Sequence, residues 1–182
     1  MDDIVKAAMA KWPQVPDCRG WLALDARGDW YMRDDRTQAA GRFPRAKGSR
    51  IVHDKLRGFI ERNYDRDAAG CWFFQNGPQR VYVELEAAPW VWRLHAQPEG
   101  TSPRVVGHTG IEAAAVDSAW LDEHGRLYLA VPQQGLGLVH TLDMGIAADA
   151  VEQGMWQPQT SSVDELAERF GHCLSPQGQA ES

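Results

Sequence analysis

Residues 70–95 read GCWFFQNGPQRVYVELEAAPWVWRLH and decide most of the fold. The Asn-Gly pair at 76–77 is a strong signal for a tight turn, and apolar runs flank it on both sides. After the turn, apolar and polar residues alternate as far as Leu85, which indicates a strand with one buried face. Pro89 interrupts this pattern, and a second alternating run starts at Trp90. The stretch therefore predicts a hairpin followed by a further strand.

A short pattern, Asp-x-x-Gly followed by an aromatic residue, occurs three times, starting at Asp25, Asp67 and Asp122. Asp bonds its own backbone at the start of such a turn, and Gly supplies the positive φ that the turn needs. The first and third copies share a Leu before the Asp and a Tyr at Tyr31 and Tyr128, which allows an internal duplication with an offset of 97 residues (25 to 122). Convergence of common hairpins is the alternative, and both remain open at this point.

Three helices are predicted around these hairpins. An apolar stripe indicates a helix over 2–12, an amphipathic pattern indicates one over 53–64, and a capping box at 162–165 opens one over 163–172. The Pro- and Gly-rich stretch 97–103 predicts a linker. The fold class predicted is α+β, with two small antiparallel sheet-plus-helix halves, for which duplication is one of the two open interpretations. The expected organisation is an N-terminal helix (1–16), an N-terminal α+β half (17–97), a mostly β half (98–160), a C-terminal helix (161–175) and a frayed tail (176–182).

Composition narrows the class of protein. The 182 residues carry a net charge of −6 and are 43% hydrophobic, which excludes a largely disordered, collagen-like or coiled-coil chain. No apolar run approaches the ~18 residues that a membrane span needs. The acidic start differs from a signal peptide, and the three widely spaced cysteines form no CxxC motif. We expect a cytoplasmic protein with reduced cysteines, no membrane partner, no metal and no cofactor.

Familiar catalytic motifs are missing from the sequence: there is no nucleophile elbow, phosphate loop, His-Glu-x-x-His or dinucleotide fingerprint. His108 and His140 lie beside strand-like segments, and Asp143 follows three residues after His140. An acid–base site built from these three residues is the enzymatic alternative. The stretch 33–50 carries six basic residues and suggests nucleic-acid binding, which the net acidity makes unlikely; a solvated loop is the simpler interpretation.

Aromatic residues are the most unusual feature, since the chain has eight Trp. Several large rings fall on shared strand faces between residues 72 and 92, which favours either a Trp-rich core or a partly exposed aromatic groove. The tryptophans of the Asp-x-x-Gly hairpins, Trp21 among them, are expected in the core, and Trp90 and Trp92 are expected to face a ligand. The predicted ligand-binding residues are Trp72, Arg80, Tyr82, Trp90, Trp92, Arg93, His108 and His140.

Residues 18–31, 53–64, 70–73 and 80–91 together resemble an uncharacterised bacterial family, domain of unknown function 1285 (DUF1285), in the order of their hairpins, helix and strand. Glu84 to Val91 carries most of the similarity. The insertion at 33–50 and the Pro/Gly linker depart from the family pattern, so a sister family fits as well.

The resemblance implies a duplicated α+β architecture, a second half superficially like a pleckstrin-homology barrel, and a binding groove between the halves. It implies no catalytic residues. We therefore expect a non-enzymatic binding or signalling module that holds a peptide, protein or small ligand in an aromatic groove near the interface of the halves.

Overall fold

The computed structural model describes residues 1–179. Its α-helices are α1 (Asp3–Lys11), α2 (Asp35–Ala40), α3 (Asp54–Arg62), α4 (Met144–Glu152) and α5 (Val163–Phe170). Its strands are β1 (Cys18–Leu24), β2 (Trp30–Met32), β3 (Ser49–Arg50), β4 (Tyr64–Arg66), β5 (Trp72–Asn76), β6 (Gln79–Leu85), β7 (Trp90–His95), β8 (Arg104–Gly107), β9 (Ser118–Leu121), β10 (Leu127–Val131), β11 (Gly135–Val139) and β12 (Gln159–Thr160). None of the helices in residues 1–179 is long and apolar enough to cross a membrane.

The chain forms two compact units, and the second is inserted into the first. The first unit comprises Met1–Asp25, Asp29–Glu86 and the chain from Gly171 onward; the second comprises Ala26–Gly28 and Ala87–Phe170. The change of unit therefore lies at residues 86–87 rather than at the predicted 97–98, because β7 pairs with β8 and β11 of the second unit.

The C-terminal region also differs in detail from the predicted organisation. The capping box is present: Ser162 Oγ accepts from the Glu165 amide at 3.2 Å, and Glu165 accepts from the Ser162 amide at 3.0 Å. The helix it opens, α5, ends at Phe170 and not at 172. Residues 176–179 form a short 3-10 helix where a frayed tail was predicted, and 180–182 lie outside the described residues.

The first unit contains a six-stranded sheet in the order β3-β2-β1-β6-β5-β4. All its neighbours are antiparallel except β1 and β6, which are parallel. Helix α3 packs on this sheet, with the ring of Phe59 edge-on to Phe74 at 5.4 Å between centroids. Trp30 is fully buried and meets Tyr64 in a similar edge-to-face contact.

The second unit contains a six-stranded sheet in the order β12-β9-β10-β11-β7-β8. Here β7 is parallel to β11 and β12 is parallel to β9. Leu166 of α5 joins the core of this sheet with Trp120, Tyr128 and Leu138. The α+β class predicted from the sequence is confirmed, but both sheets are mixed and not purely antiparallel. The parallel pairs β1–β6 and β7–β11 arise because the first strand of each unit lies beside its last long strand.

The two units share a strand topology. In each, an opening strand (β1 or β7) lies parallel to the last strand of a three-stranded meander (β4-β5-β6 or β9-β10-β11). In this equivalence the turn at Asp67 matches the turn at Asp122, because each joins the first two strands of its meander. The turn at Asp25 joins β1 to β2 and occupies a different place. The offset between equivalent turns is therefore 55 residues (67 to 122), not 97.

All three Asp turns share a type of hydrogen bonding, since at the first turn Asp25 Oδ1 accepts from the Asp29 amide and Asp25 Oδ2 accepts from the Tyr31 hydroxyl. Asp67 Oδ1 accepts from the amides of Ala69 and Cys71, and Asp122 Oδ1 accepts from the corresponding amides two and four residues on. The second oxygen of each carboxylate accepts from a Tyr hydroxyl at 2.9 Å, donated by Tyr82 to Asp67 and by Tyr128 to Asp122. In an Asp-x-x-Gly turn, the Asp carboxylate is thus held by backbone amides and a Tyr hydroxyl. These contacts give the Asp and Tyr residues a structural role.

Candidate functional site

The tryptophans predicted to bind a ligand are core residues. Trp72, Trp90 and Trp92 are 6%, 5% and 0% exposed. The rings of Trp90 and Trp92 stack with 5.4 Å between centroids and 1° between planes. Their indole N–H groups donate to the carbonyls of Gln134 at 2.8 Å and Leu129 at 3.0 Å. The rings therefore form a buried pair instead of the exposed groove predicted from the sequence.

Glycines on the neighbouring strands make room for this pair. Trp92 lies opposite Gly107 on β8, and Trp90 lies opposite Gly137 on β11. A Cβ built on Gly107 would lie 2.9 Å from the ring of Trp90. A Cβ built on Gly137 would overlap the indole of Trp92 and lie 2.7 Å from Trp90 Cβ. The stack thus depends on two positions without a side chain.

The predicted site residues of the first unit make contacts within its six-stranded sheet. Tyr82 is buried and clamps Asp67, and the guanidinium of Arg80 lies 4.7 Å from the centroid of the Phe73 ring. Trp72 stacks obliquely on Tyr64 at 4.6 Å. These three belong to the first unit, whereas the other predicted ligand-binding residues belong to the second. The eight residues therefore do not form one site within either unit.

The Nδ1 atom of each of the two predicted histidines accepts a hydrogen bond from a backbone amide. His108 Nδ1 accepts from the amide of Val91 at 3.3 Å, and His140 Nδ1 accepts from the amide of Leu142 at 3.1 Å. Burial lowers the pKa of His108 to about 3, so this imidazole is neutral at physiological pH. A general base needs a pKa near the working pH and a proton within reach. His108 is therefore unsuited to that role.

Asp143, the carboxylate of the enzymatic alternative, is held by Arg93. The guanidinium donates to both carboxylate oxygens, at 2.6 and 3.1 Å, and the amide of Leu94 donates to one of them at 3.0 Å. The hydrogen bond from Arg93 lowers the pKa of Asp143 below its usual range. The ionised Asp143 carboxylate therefore connects the segment after β11 to Arg93 and Leu94 of β7. The three residues predicted to form an acid–base site, His108, His140 and Asp143, therefore each make structural contacts of their own. Among residues 1–179, no group of three His, Cys, Asp or Glu side chains is placed to hold a metal ion.

The basic stretch 33–50 is organised by one buried cation. Arg33 is buried, and its guanidinium donates to the carbonyls of Ala46, Gly20 and Gly41 at 3.0, 3.2 and 2.7 Å. The stretch includes α2 and β3, so it is a folded insertion and not only a solvated loop. Its first Arg is unavailable to an anionic partner.

An apolar cleft in the first unit is the candidate functional site. It encloses about 330 Å³ between the sheet and α3. Within it, Trp21 is 39% exposed and Met32 is 50% exposed, although both are large apolar residues. The cleft is lined by Cys18, Trp21, Leu22, Met32, Ile51, Leu56, Phe59, Ile60, Phe74, Asn76 and Val81. These eleven residues define the cleft.

Helix α3 forms one wall of the cleft and is shorter than the sheet is wide. Its nine residues span about 14 Å at 1.5 Å per residue. Six strands spaced by about 4.8 Å place the outer strands about 24 Å apart. Part of this width extends beyond α3, and Trp21 and Met32 of the lining remain partly exposed.

A strand irregularity brings Trp21 into the cleft. Cys18 pairs with Val81 and Leu22 pairs with Val83, so β1 uses two more residues than β6 over this interval. Gly20 lies in the irregularity with φ near +82°, a conformation that favours Gly. In a regular strand, Trp21 and Leu22 would point to opposite faces, yet both line the cleft. The sequence interpretation of Trp21 as core is therefore wrong, and a Gly inside the strand was the signal for it.

The lining determines which chemistry the cleft can recognise. Among residues 1–179, no charged side chain lines it, and its polar side-chain groups are the Asn76 amide, the Trp21 indole N–H and the Cys18 thiol. Burial raises the pKa of Cys18, which keeps this thiol protonated at neutral pH. The ring of Trp21 offers a partly exposed aromatic face, and Asn76 can both donate and accept a hydrogen bond. These features suit a neutral, mainly apolar ligand.

Comparison with protein families identifies the chain. The family model DUF2944, described as "Protein of unknown function (DUF2946)", matches residues 1–177. The chain belongs to this family. A comparison of this DUF2944 family member with curated proteins finds no match.

Solved structures confirm the predicted resemblance to DUF1285 at the level of the fold. A crystal structure of a DUF1285 family protein from Silicibacter pomeroyi DSS-3 matches 82% of this chain and 84% of that chain, with a TM-score of 0.52 and 14% identity. A DUF1285 family protein from Shewanella baltica OS155 matches 71% of this chain and 91% of that chain, with a TM-score of 0.48 and 17% identity. At 14% identity, the first of these structures shows that the DUF2944 family member has a similar fold. The assignment of its candidate site depends on the geometry of this chain alone.

Proposed function

We propose that this chain is a non-enzymatic cytoplasmic binding module whose ligand occupies the cleft of the first unit. One observation carries the proposal: Trp21 and Met32 leave large apolar surfaces exposed at the rim of a preformed cavity of about 330 Å³. Cavities that hold small organic ligands start at about 300 Å³ and are lined mainly by apolar and aromatic groups. The cleft therefore has the size and the surface of a small-molecule site.

The ligand is a small, uncharged, mainly apolar molecule with one polar group. Moving a charged group into a lining without an opposite charge would cost several kcal/mol, since its lost hydration is not replaced. A neutral hydroxyl or carbonyl group could instead pair with Asn76. The flat face of Trp21 favours a planar ligand over a branched one.

Titration with the neutral fluorescent probe N-phenyl-1-naphthylamine tests this proposal. The probe should bind the wild-type protein with a bright, saturable signal. Met32→Glu places a charge at the half-exposed rim and should weaken binding at least about tenfold, equivalent to 1.4 kcal/mol.

Ile4→Glu is the matched control, since Ile4 is a largely exposed apolar residue outside the lining of the cleft. It should bind the probe as the wild type does. Equal affinity of both variants and the wild type would place the probe elsewhere and reject the cleft as the site.

A further inference from the structure

The fold brings together two cysteines that are far apart in sequence. Cys71 precedes β5 and Cys173 follows α5, and both belong to the first unit. Their side chains interact directly through a hydrogen bond between the two thiol groups. Cys173 packs against the buried cluster that Cys71 forms with Phe73 and Tyr82. Both cysteines are reduced in the structure.

Cys173 lies in a segment that returns to the first unit after the second is complete. Residues 171–179, here called the strap, are fixed to the sheet by two backbone hydrogen bonds. The Cys173 amide donates to the Gly70 carbonyl at 3.1 Å, and the Leu85 amide donates to the Leu174 carbonyl at 2.9 Å. Gly70 also lies so close to the strap that a Cβ there would overlap the Gly171 carbonyl. The strap and the segment at Gly70 are therefore close enough for the neighbouring thiols to come into contact.

We propose that Cys71 and Cys173 are a redox modification site, at which a peroxide forms a reversible disulfide that fastens the strap to β5. Disulfide formation requires two Cα atoms within about 7 Å and side chains that point toward each other. The backbone hydrogen bond from Cys173 to the residue before Cys71, and the packing of Cys173 against the cluster that contains Cys71, bring the two cysteines together.

The chemistry is balanced with hydrogen peroxide as the oxidant. The Cys173 thiolate attacks one peroxide oxygen, the O–O bond breaks, and hydroxide leaves with a proton as water, which gives a sulfenic acid. The Cys71 sulfur then attacks the Cys173 sulfur, the S–O bond breaks, and the departing hydroxide takes the Cys71 proton. Two thiols lose two electrons, and one peroxide becomes two waters. A dithiol such as dithiothreitol reverses the bond by exchange.

The order of the two steps follows from burial. Cys71 is buried, whereas Cys173 is only partly buried and is the thiol that an oxidant meets first. Burial raises the pKa of both thiols, so little thiolate exists at neutral pH and the first step is slow. The second step needs no diffusion, because Cys71 already touches Cys173. We therefore expect a disulfide to outrun further oxidation of Cys173.

Peptide mapping after peroxide treatment tests the proposal. Trypsin should release residues 67–80 joined to residues 170–182, a species that dithiothreitol removes. The count of free thiols in denaturant should fall from three to one. Hydrogen exchange of the Leu85 amide should slow by about tenfold in the oxidised protein, because opening of the strap is restricted.

Cys18 provides the internal control, since it is partly buried like Cys173 but lines the cleft. Cys18→Ser should form the same cross-linked peptide, and Cys173→Ser should not. Cys173→Ser changes a partly exposed residue, so the test does not depend on the folding of a variant at buried Cys71. Three free thiols after treatment, or a cross-link that involves residue 18 in the folded wild type, would overturn the proposal.

Discussion

Gly137→Ala is expected to destabilise the second unit strongly, because the added methyl group enters the space of the stacked indoles. The new Cβ would overlap the Trp92 indole and lie 2.7 Å from Trp90 Cβ. Overpacking of a close-packed core costs about 1–3 kcal/mol. Displacement of the Trp92 ring also breaks its 3.0 Å hydrogen bond to Leu129, and an unpaired buried donor costs about 1–3 kcal/mol more. The expected loss is about 2–6 kcal/mol, a large part of the 5–15 kcal/mol typical of folded domains.

Urea unfolding followed by far-UV circular dichroism measures this loss as a lower midpoint, and near-UV dichroism reports the stacked indoles directly. Gly145→Ala is the matched control: Gly145 lies in α4, and among residues 1–179 no atom lies within 4 Å of its built Cβ. Ala there should leave stability unchanged or raise it by up to about 1 kcal/mol. If Gly137→Ala unfolds at the wild-type midpoint with its near-UV signal intact, the absence of a side chain at position 137 does not contribute to the stability of the stacked indoles.

Three further changes test other parts of the structure. Arg33→Ala leaves three backbone carbonyls without their donor and should cost about 3–5 kcal/mol in urea unfolding. Asp143→Asn should flatten the fall of stability below about pH 4, because the folded pKa of Asp143 is depressed and its contribution, present above the unfolded pKa, is lost as the pH falls through the folded value. Tyr82→Phe should cost about 1 kcal/mol, and adding Phe73→Tyr should recover part of it, since position 73 corresponds to the Tyr of the second unit.

Each of these changes has a control. Arg36→Ala removes an exposed Arg from the same stretch and should leave the urea midpoint within about 0.5 kcal/mol of the wild type. For Asp143→Asn, a pH profile parallel to that of the wild type would mean that this carboxylate does not contribute to acid sensitivity. For the Tyr exchange, a double variant less stable than Tyr82→Phe alone would contradict the equivalence of the Asp67 and Asp122 turns.

Local patterns predicted the elements well. The alternation over 79–85 and 90–95 corresponds to β6 and β7, and the Asn-Gly turn joins β5 to β6. The helix predicted over 53–64 is α3 at Asp54–Arg62. These signals depend on periodicity and turn chemistry within about ten residues. The parallel pairings of β1 with β6 and of β7 with β11 have no such local signature, and the unit boundary depends on them.

The candidate site was harder to predict than the fold. Alternation placed Trp90 and Trp92 on one strand face correctly, but whether that face meets solvent depends on the strands beside it. The decisive residues, Gly107 and Gly137, lie 15 and 45 residues beyond Trp92 (92 to 107 and 92 to 137) and appear unremarkable in sequence. Trp21 was misassigned for a related reason, since only the pairing of β1 with β6 shows the irregularity that turns it into the cleft.

The interrupted first unit has a consequence for the order of synthesis. Its sheet is complete in sequence at Glu86, yet the segment that satisfies the Leu85 amide and contacts Cys71 begins only at Gly171. On the ribosome, the opening 86 residues must therefore wait while the whole inserted unit emerges. A stop codon directly after residue 170 would remove the segment that bonds the Leu85 amide of the first unit and would remove no residue of the second unit.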